Sequence, residues 1–261
     1  MKKEIWIYDK ETLIDFHCTV FLNRRTDEIH TFEISEWKNE LFEYQQFMRT
    51  RVLGLWGFNN NGFDDPIASR MIRAKSLTAN QIYEIAQETI DTKYPKSNLP
   101  FRCSDIYRML HFDRSFTSLK WCQFQMDSTS IKEMPIEHYE KVETREMADG
   151  VIDYCKYDVL STRDVIDRHP NEIQLRKYIS KVYKFKYPFS MSNTAIGKQS
   201  MLADYCRLSG ENPYDVKNTN TVRSRVLLKD VISDKIVFET KKMQDFLLYL
   251  KNKRLNLVTS K

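Results

Sequence analysis

The run Glu4-Ile5-Trp6-Ile7-Tyr8 is β-branched and aromatic, as a buried strand requires, and it ends in Asp9-Lys10-Glu11. Side chains alternate along a strand, so Asp9 and Glu11 point to one face and Lys10 to the other. Two carboxylates side by side in an apolar setting repel each other, and only a cation between them gives the pair a purpose. Taken alone, the pair is either two acids at the surface or the edge of a cation site at the end of a buried strand.

The elements that follow suit such a strand. Residues 13–22 and 28–34 predict two more strands joined by the polar turn Asn23–Asp27. Ile29, Thr31 and Glu33 alternate with His30, Phe32 and Ile34, as in an antiparallel hairpin with one covered face. Leu41, Tyr44, Phe47 and Met48 have the spacing of an amphipathic helix over 39–50. Val52–Phe58 is a short apolar strand, and Pro66 sits where a helix can begin. Helical patterns over 78–91, 117–126 and 145–168 and a strand over 102–110 complete the first part, which ends before Pro170. This order predicts an α/β fold with a mixed sheet covered by helices. Beyond residue 170 the pattern changes to helices at 171–185 and 192–208, a polar stretch Glu211–Arg225, a strand-like Val226–Phe238 and a helix at 240–253. The sequence thus divides into a domain over 1–170 and a mainly helical extension over 171–261.

Charge divides at the same place. Residues 171–261 hold 18 Lys and Arg against 8 Asp and Glu, leaving 23 against 28 in 1–170, so the net +5 is −5 plus +10. A basic arm on an acidic body suggests a polyanion partner. The 41% hydrophobic content over 261 residues supports a packed core and excludes disordered and fibrous classes. No apolar run reaches the roughly 18 residues of a membrane span, and charge at Asp9 breaks any signal-peptide core. The five Cys are scattered with no CxxC pair, which reads as reduced cytoplasmic thiols and not as a zinc site.

Two further segments supply acids. Gly57-Phe58-Asn59-Asn60-Asn61-Gly62-Phe63-Asp64-Asp65-Pro66 places acids at a strand-to-helix turn. Asp65, beside the proline, suits a helix cap, which leaves Asp64 free for chemistry. In the predicted helix 145–168, Tyr154 and Asp158 are four residues apart and share a face. Asp9, Glu11, Asp64 and Asp158 form a hard oxygen set suited to Mg²⁺ or Mn²⁺. Two such ions about 3.5–4 Å apart stabilise both oxygens of an in-line phosphoryl displacement.

These segments, in this order, resemble the motifs of the proofreading 3′–5′ exonuclease domain of family B DNA polymerases, phage enzymes in particular. The first motif is Asp9-Lys10-Glu11-Thr12, the second Gly57 through Pro66, and the third Tyr154 to Asp158. Ser118-Leu119-Lys120 is similar to the helix between the second and third. The resemblance implies a ribonuclease H-like fold and hydrolysis of the 3′-terminal phosphodiester to release nucleoside 5′-monophosphates. It implies that Asp9, Glu11, Asp64 and Asp158 hold two Mg²⁺, and that Tyr154 orients the attacking water. It also places Asn59, Phe63, Thr12 and Leu13 near the single-stranded 3′ end of the DNA substrate. Lys10 departs from the family's apolar residue, and alternation predicts that it leaves the metal side, either snorkelling outward or pairing with an acid. Segments around Ser190–Lys198 and Met243–Leu247 are similar to the path from exonuclease to polymerase palm, and no palm motif follows. The reading expected is a proofreading subunit whose polymerase lies on a separate chain. The alternatives are a free-standing exonuclease and a catalytically silent DNA-binding or assembly module.

Overall fold

Residues 2–110, 117–128, 131–218 and 225–256 are described by a computed structural model. Residues 219–224 of the polar stretch Glu211–Arg225 lie outside them. Within the first of two compact units, which runs to Met201, the hairpin pattern yields β1 (Glu4–Thr12), β2 (His17–Leu22) and β3 (Ile29–Ile34). Next come α1 (Leu41–Thr50), β4 (Val52–Gly57), a 3₁₀ turn at Asn60–Gly62, α2 (Asp64–Met71) and α3 (Ala79–Asp91). After β5 (Arg102–Asp105) the chain forms α4 (Ile106–Met109), α5 (Leu119–Gln125), α6 (Arg145–Asp167) and α7 (Pro170–Tyr183). Helix α8 (Asn193–Ser209) follows in the chain.

The five strands form one mixed sheet in the order β3-β2-β1-β4-β5. β1, β2 and β3 pair antiparallel, whereas β4 runs parallel to both β1 and β5. Alternation along the strands gives the sheet two buried faces. On one, Ile7, Val20 and Trp56 pack with Val151, Cys155 and Val159 of α6. On the other, Trp6, Tyr8, Phe21 and Leu55 meet Tyr44 and Phe47 of α1, Ile67 and Met71 of α2, and Ile82 of α3. Because β1 is central and β1, β4 and β5 are parallel, their C-terminal ends open on the same edge, where charged residues of the strand ends collect.

Three sequence expectations change. The 102–110 strand stops at Asp105, whose carboxylate accepts the Tyr107 N–H at 3.0 Å and starts α4. Asp65 does not cap α2; the helix begins at Asp64, and Asp65 accepts from Tyr8 Oη at 2.5 Å and Asn60 Nδ2 at 3.1 Å. Of Val226–Phe238 only Val226 and Leu227 lie in a strand, β6 (Arg225–Leu227), whose pairing partner among the described residues, β7 (Arg254–Asn256), is three residues long. The sequence division at residue 170 falls between α6 and α7, both inside the first unit. Arg176 of α7 is fully buried there, and its Nη2 donates to the carbonyls of Met109 and Met191, each at 2.8 Å.

The second unit, from Leu202, contains α9 (Pro213–Asn218), the β6–β7 pair and α10 (Lys241–Lys251). Leu247 is the buried residue of α10, while Phe246, Leu248 and Tyr249 are exposed. No helix among the described residues is long and apolar enough to cross a membrane.

Candidate metal centre

Three elements bring the acids together. β1 supplies Asp9 and Glu11, spaced by two so that both leave the strand on the α6 side. α6, capped by Thr144 accepting the Met147 N–H at 3.2 Å, carries Asp158 over β1. Carboxylate oxygens of Asp9, Glu11 and Asp158 all lie within 4.8 Å of one another, although Asp158 follows Asp9 by 149 positions in the chain. Asp64, in the first turn of α2, opens on the same cavity of about 430 Å³, as do Asn59, Phe63, Ser118 and Leu119.

The electrostatics are those of acids crowded together in a buried setting, which favours their protonated forms. Burial pushes the Asp9 carboxyl well above the usual range, and Asp64, Glu11 and Asp158 push it further. Glu11 moves the same way, chiefly through burial. Asp64 is pushed up to about 8 by burial, and its Oδ1 has no hydrogen-bond partner among the described residues. Asp158 rises to about 6 by burial, against hydrogen bonds from Tyr154 and Gln123 that favour its ionised form. A buried carboxylate oxygen without a donor, beside three converging acids, is a set that a hard divalent cation satisfies. The residues present therefore fit Mg²⁺ or Mn²⁺.

Tyr154 stands one helical turn before Asp158 and hydrogen-bonds to it. Burial and the neighbouring Asp158 and Glu11 hold its phenol in the protonated form. Lys120, from α5, places its ammonium 5.9 Å above the Tyr154 ring. Two residues implied by the resemblance lie elsewhere: Thr12 binds His17 Nδ1 at 2.8 Å, and Leu13 is wholly buried in the core. Neither lines the acid-bearing cavity.

Lys10 leaves β1 on the face opposite Asp9 and Glu11, yet it does not snorkel outward, and among the described residues it forms no ion pair within 4 Å. It is 3% exposed, with Nζ 2.7 Å from Thr19 Oγ1, 3.3 Å from Tyr44 Oη and 4.7 Å above the Tyr44 ring. Burial lowers it to about 8, while Asp64 is the charge that most favours its ionised form. An aromatic pocket of neutral acceptors thus replaces the water that a surface lysine keeps.

Sequence reasoning missed Gln123 and Asp105. Gln123 Nε2 donates to Ser161 Oγ at 2.9 Å and reaches Asp158 Oδ1 at 3.4 Å, steadying the acid on α6. Asp105 accepts the backbone N–H of Asn59 at 3.0 Å. Neither has a spacing that marks it, because both act on segments remote in the chain. No protein-family model matches the chain, and comparison with curated proteins finds no relative.

Proposed function

We propose that the chain is a divalent-cation-dependent 3′–5′ exonuclease of ribonuclease H-like fold, removing the 3′-terminal nucleotide of DNA. The observation that carries this reading is the convergence of Asp9, Glu11 and Asp158 within 4.8 Å, with Asp64 on the same cavity and Tyr154 bonded to Asp158. Asp9, Glu11, Asp64 and Asp158 are the residues that would hold two Mg²⁺. When bound, such ions neutralise charge on the scissile phosphate and raise the acidity of water.

The chain's own groups supply the rest. Tyr154 keeps its proton and gives it to Asp158 in a hydrogen bond, which leaves its oxygen lone pairs to accept from the attacking water. Asn59 and Phe63 flank the cavity, one offering an amide and the other a ring face to the terminal nucleotide. Stacking on a ring is tolerant of base identity, as an editing nuclease requires. Water adds to phosphorus, the 3′ oxygen of the penultimate nucleotide leaves, and a nucleoside 5′-monophosphate is released.

The second unit supports a partner-facing role within this reading. Phe246, Leu248 and Tyr249 of α10 are exposed beside Lys241, Lys242 and Lys253, a surface suited to a separate polymerase chain in the cytoplasm. The test is cleavage of 3′-labelled single-stranded DNA with Mg²⁺, comparing the wild type with Asp9→Ala/Glu11→Ala. Shortening by the wild type alone is expected. If neither protein shortens the DNA, the enzymatic reading fails.

A further inference from the structure

Asp105 ends β5 with its carboxylate wholly buried. Oδ1 accepts the N–H groups of Tyr107 and Asn59, each at 3.0 Å, and Oδ2 accepts that of Asn61 at 3.4 Å. The bond from Tyr107 starts α4. The bonds from Asn59 and Asn61 have no such local use, since they cross to the turn between β4 and α2.

That turn is strained at one place. Asn59 has φ 61° and ψ 18°, the left-handed region, which is unfavourable for an L-residue and least costly for Asn and Asp. Strain of this kind persists only where the surroundings fix it, and a buried carboxylate on the Asn59 N–H fixes it here. The anchor is itself held: the Asp105 N–H donates to Ser190 Oγ at 3.1 Å. Asn59 and Phe63 both open on the acid-lined cavity, and Asp105 does not line it.

We propose that Asp105 is a positioning residue, holding the left-handed Asn59 so that Asn59 and Phe63 receive the terminal nucleotide. The proposal rests on the exonuclease reading above. Asp105 does not line the cavity and acts only through the turn it holds, so its effect belongs on substrate affinity.

Asp105→Asn is the informative variant, because it keeps size and one acceptor oxygen where Asp105→Ala removes every acceptor from the N–H groups of Tyr107, Asn59 and Asn61 and from Arg108, which pairs with Oδ2 at 3.7 Å. Initial rates on a 3′-labelled single-stranded oligonucleotide are measured for wild type, Asp105→Asn, Asn59→Ala and the double variant. Melting temperature checks folding, and Mn²⁺ calorimetry checks the acids. The expected result is KM raised about tenfold in Asp105→Asn with kcat within about twofold. The double variant is expected to be no worse than the poorer single, since both act through one turn. Mn²⁺ affinity stays at the wild-type value. Unchanged KM, additive effects in the double variant, or weakened Mn²⁺ binding overturns the proposal while leaving the exonuclease reading in place. A wild-type protein that does not cleave overturns that reading, and this proposal with it.

Discussion

Lys10 and Thr19 face each other across β1 and β2, and Lys10 Nζ donates to Thr19 Oγ1 at 2.7 Å. Thr19 Oγ1 also lies 3.0 Å from His17 Nε2, and His17 Nδ1 lies 2.8 Å from Thr12 Oγ1. A chain of polar contacts therefore runs behind the acid cluster, starting from one buried ammonium.

That ammonium competes with any cation bound in front of it. Replacing it in Lys10→Met removes one unit of positive charge from the neighbourhood of Asp64 and keeps the volume of the side chain. Mn²⁺ affinity, measured by calorimetry, is expected to rise about tenfold. An unchanged or weaker affinity would show that Lys10 is electrostatically remote from the acids.

Tyr154→Phe removes a hydroxyl and nothing else. If that hydroxyl orients the attacking water, kcat falls about 10²-fold. Mn²⁺ affinity changes little, because Asp158 keeps its hydrogen bond from Gln123. Single-turnover cleavage beside calorimetry separates the two effects, and equal losses in both would assign Tyr154 to cation binding instead.

The acid cluster predicts an unusual pH dependence of stability. Burial keeps Asp64 protonated up to about pH 8 in the folded state, whereas an unfolded Asp loses its proton near about pH 4. Between these values the folded state binds the extra proton, so the stability of cation-free protein falls as pH rises. Asp158, raised to about 6, adds to the lower half of that window. His17, held neutral below its usual range by burial, acts in the opposite sense at acidic pH and is common to wild type and variant. In chelator, the melting temperature of the wild type is therefore expected to decline relative to Asp64→Asn from pH 5 to 8. Added Mg²⁺ restores the wild type at pH 8 and hardly affects it at pH 5. Parallel melting curves for the two proteins would contradict this.

Gly57 is fixed by close approach. A Cβ there would stand 2.8 Å from Asn60 Cβ and 2.9 Å from Asn60 Cγ. Asn60 is itself fully buried and donates to both oxygens of Asp65, at 3.1 Å each, so it has little room to yield. Gly57→Ala is expected to cost about 1–3 kcal/mol of stability in denaturant titration. A loss under about 0.5 kcal/mol would mean that the turn repacks freely.

Most of the scaffold was legible because its periodicity is strong. The alternation of β1 and β3 and the spacing of Leu41, Tyr44, Phe47 and Met48 each have a single structural solution. The strand pattern over 102–110 misleads because Cys103, Ile106 and Met109 also satisfy a helix, and one capping bond from Asp105 decides the switch. Val226–Phe238 has β-branched composition but lacks a long partner, and Val237 is 77% exposed. At the site, spacing alone identified Asp9 and Glu11 as neighbours on one face. The buried lodging of Lys10 depends on Thr19, Tyr44 and Met71, which no local pattern links to it. Asp65 bonds to Tyr8 for the same reason: the partner comes from a strand 57 residues earlier.

The opposite directions taken by Asp9 and Lys10 also guard against misfolding. Slipping β1 by one residue against β2 would swing Lys10 among Asp158 and its neighbours and drive two carboxylates into the pocket of Tyr44 and Met71. Such a misaligned sheet would bury two negative charges among aromatic rings with no cation in reach. The charges on this strand thus act as a checksum on its alignment, independent of any reaction they support.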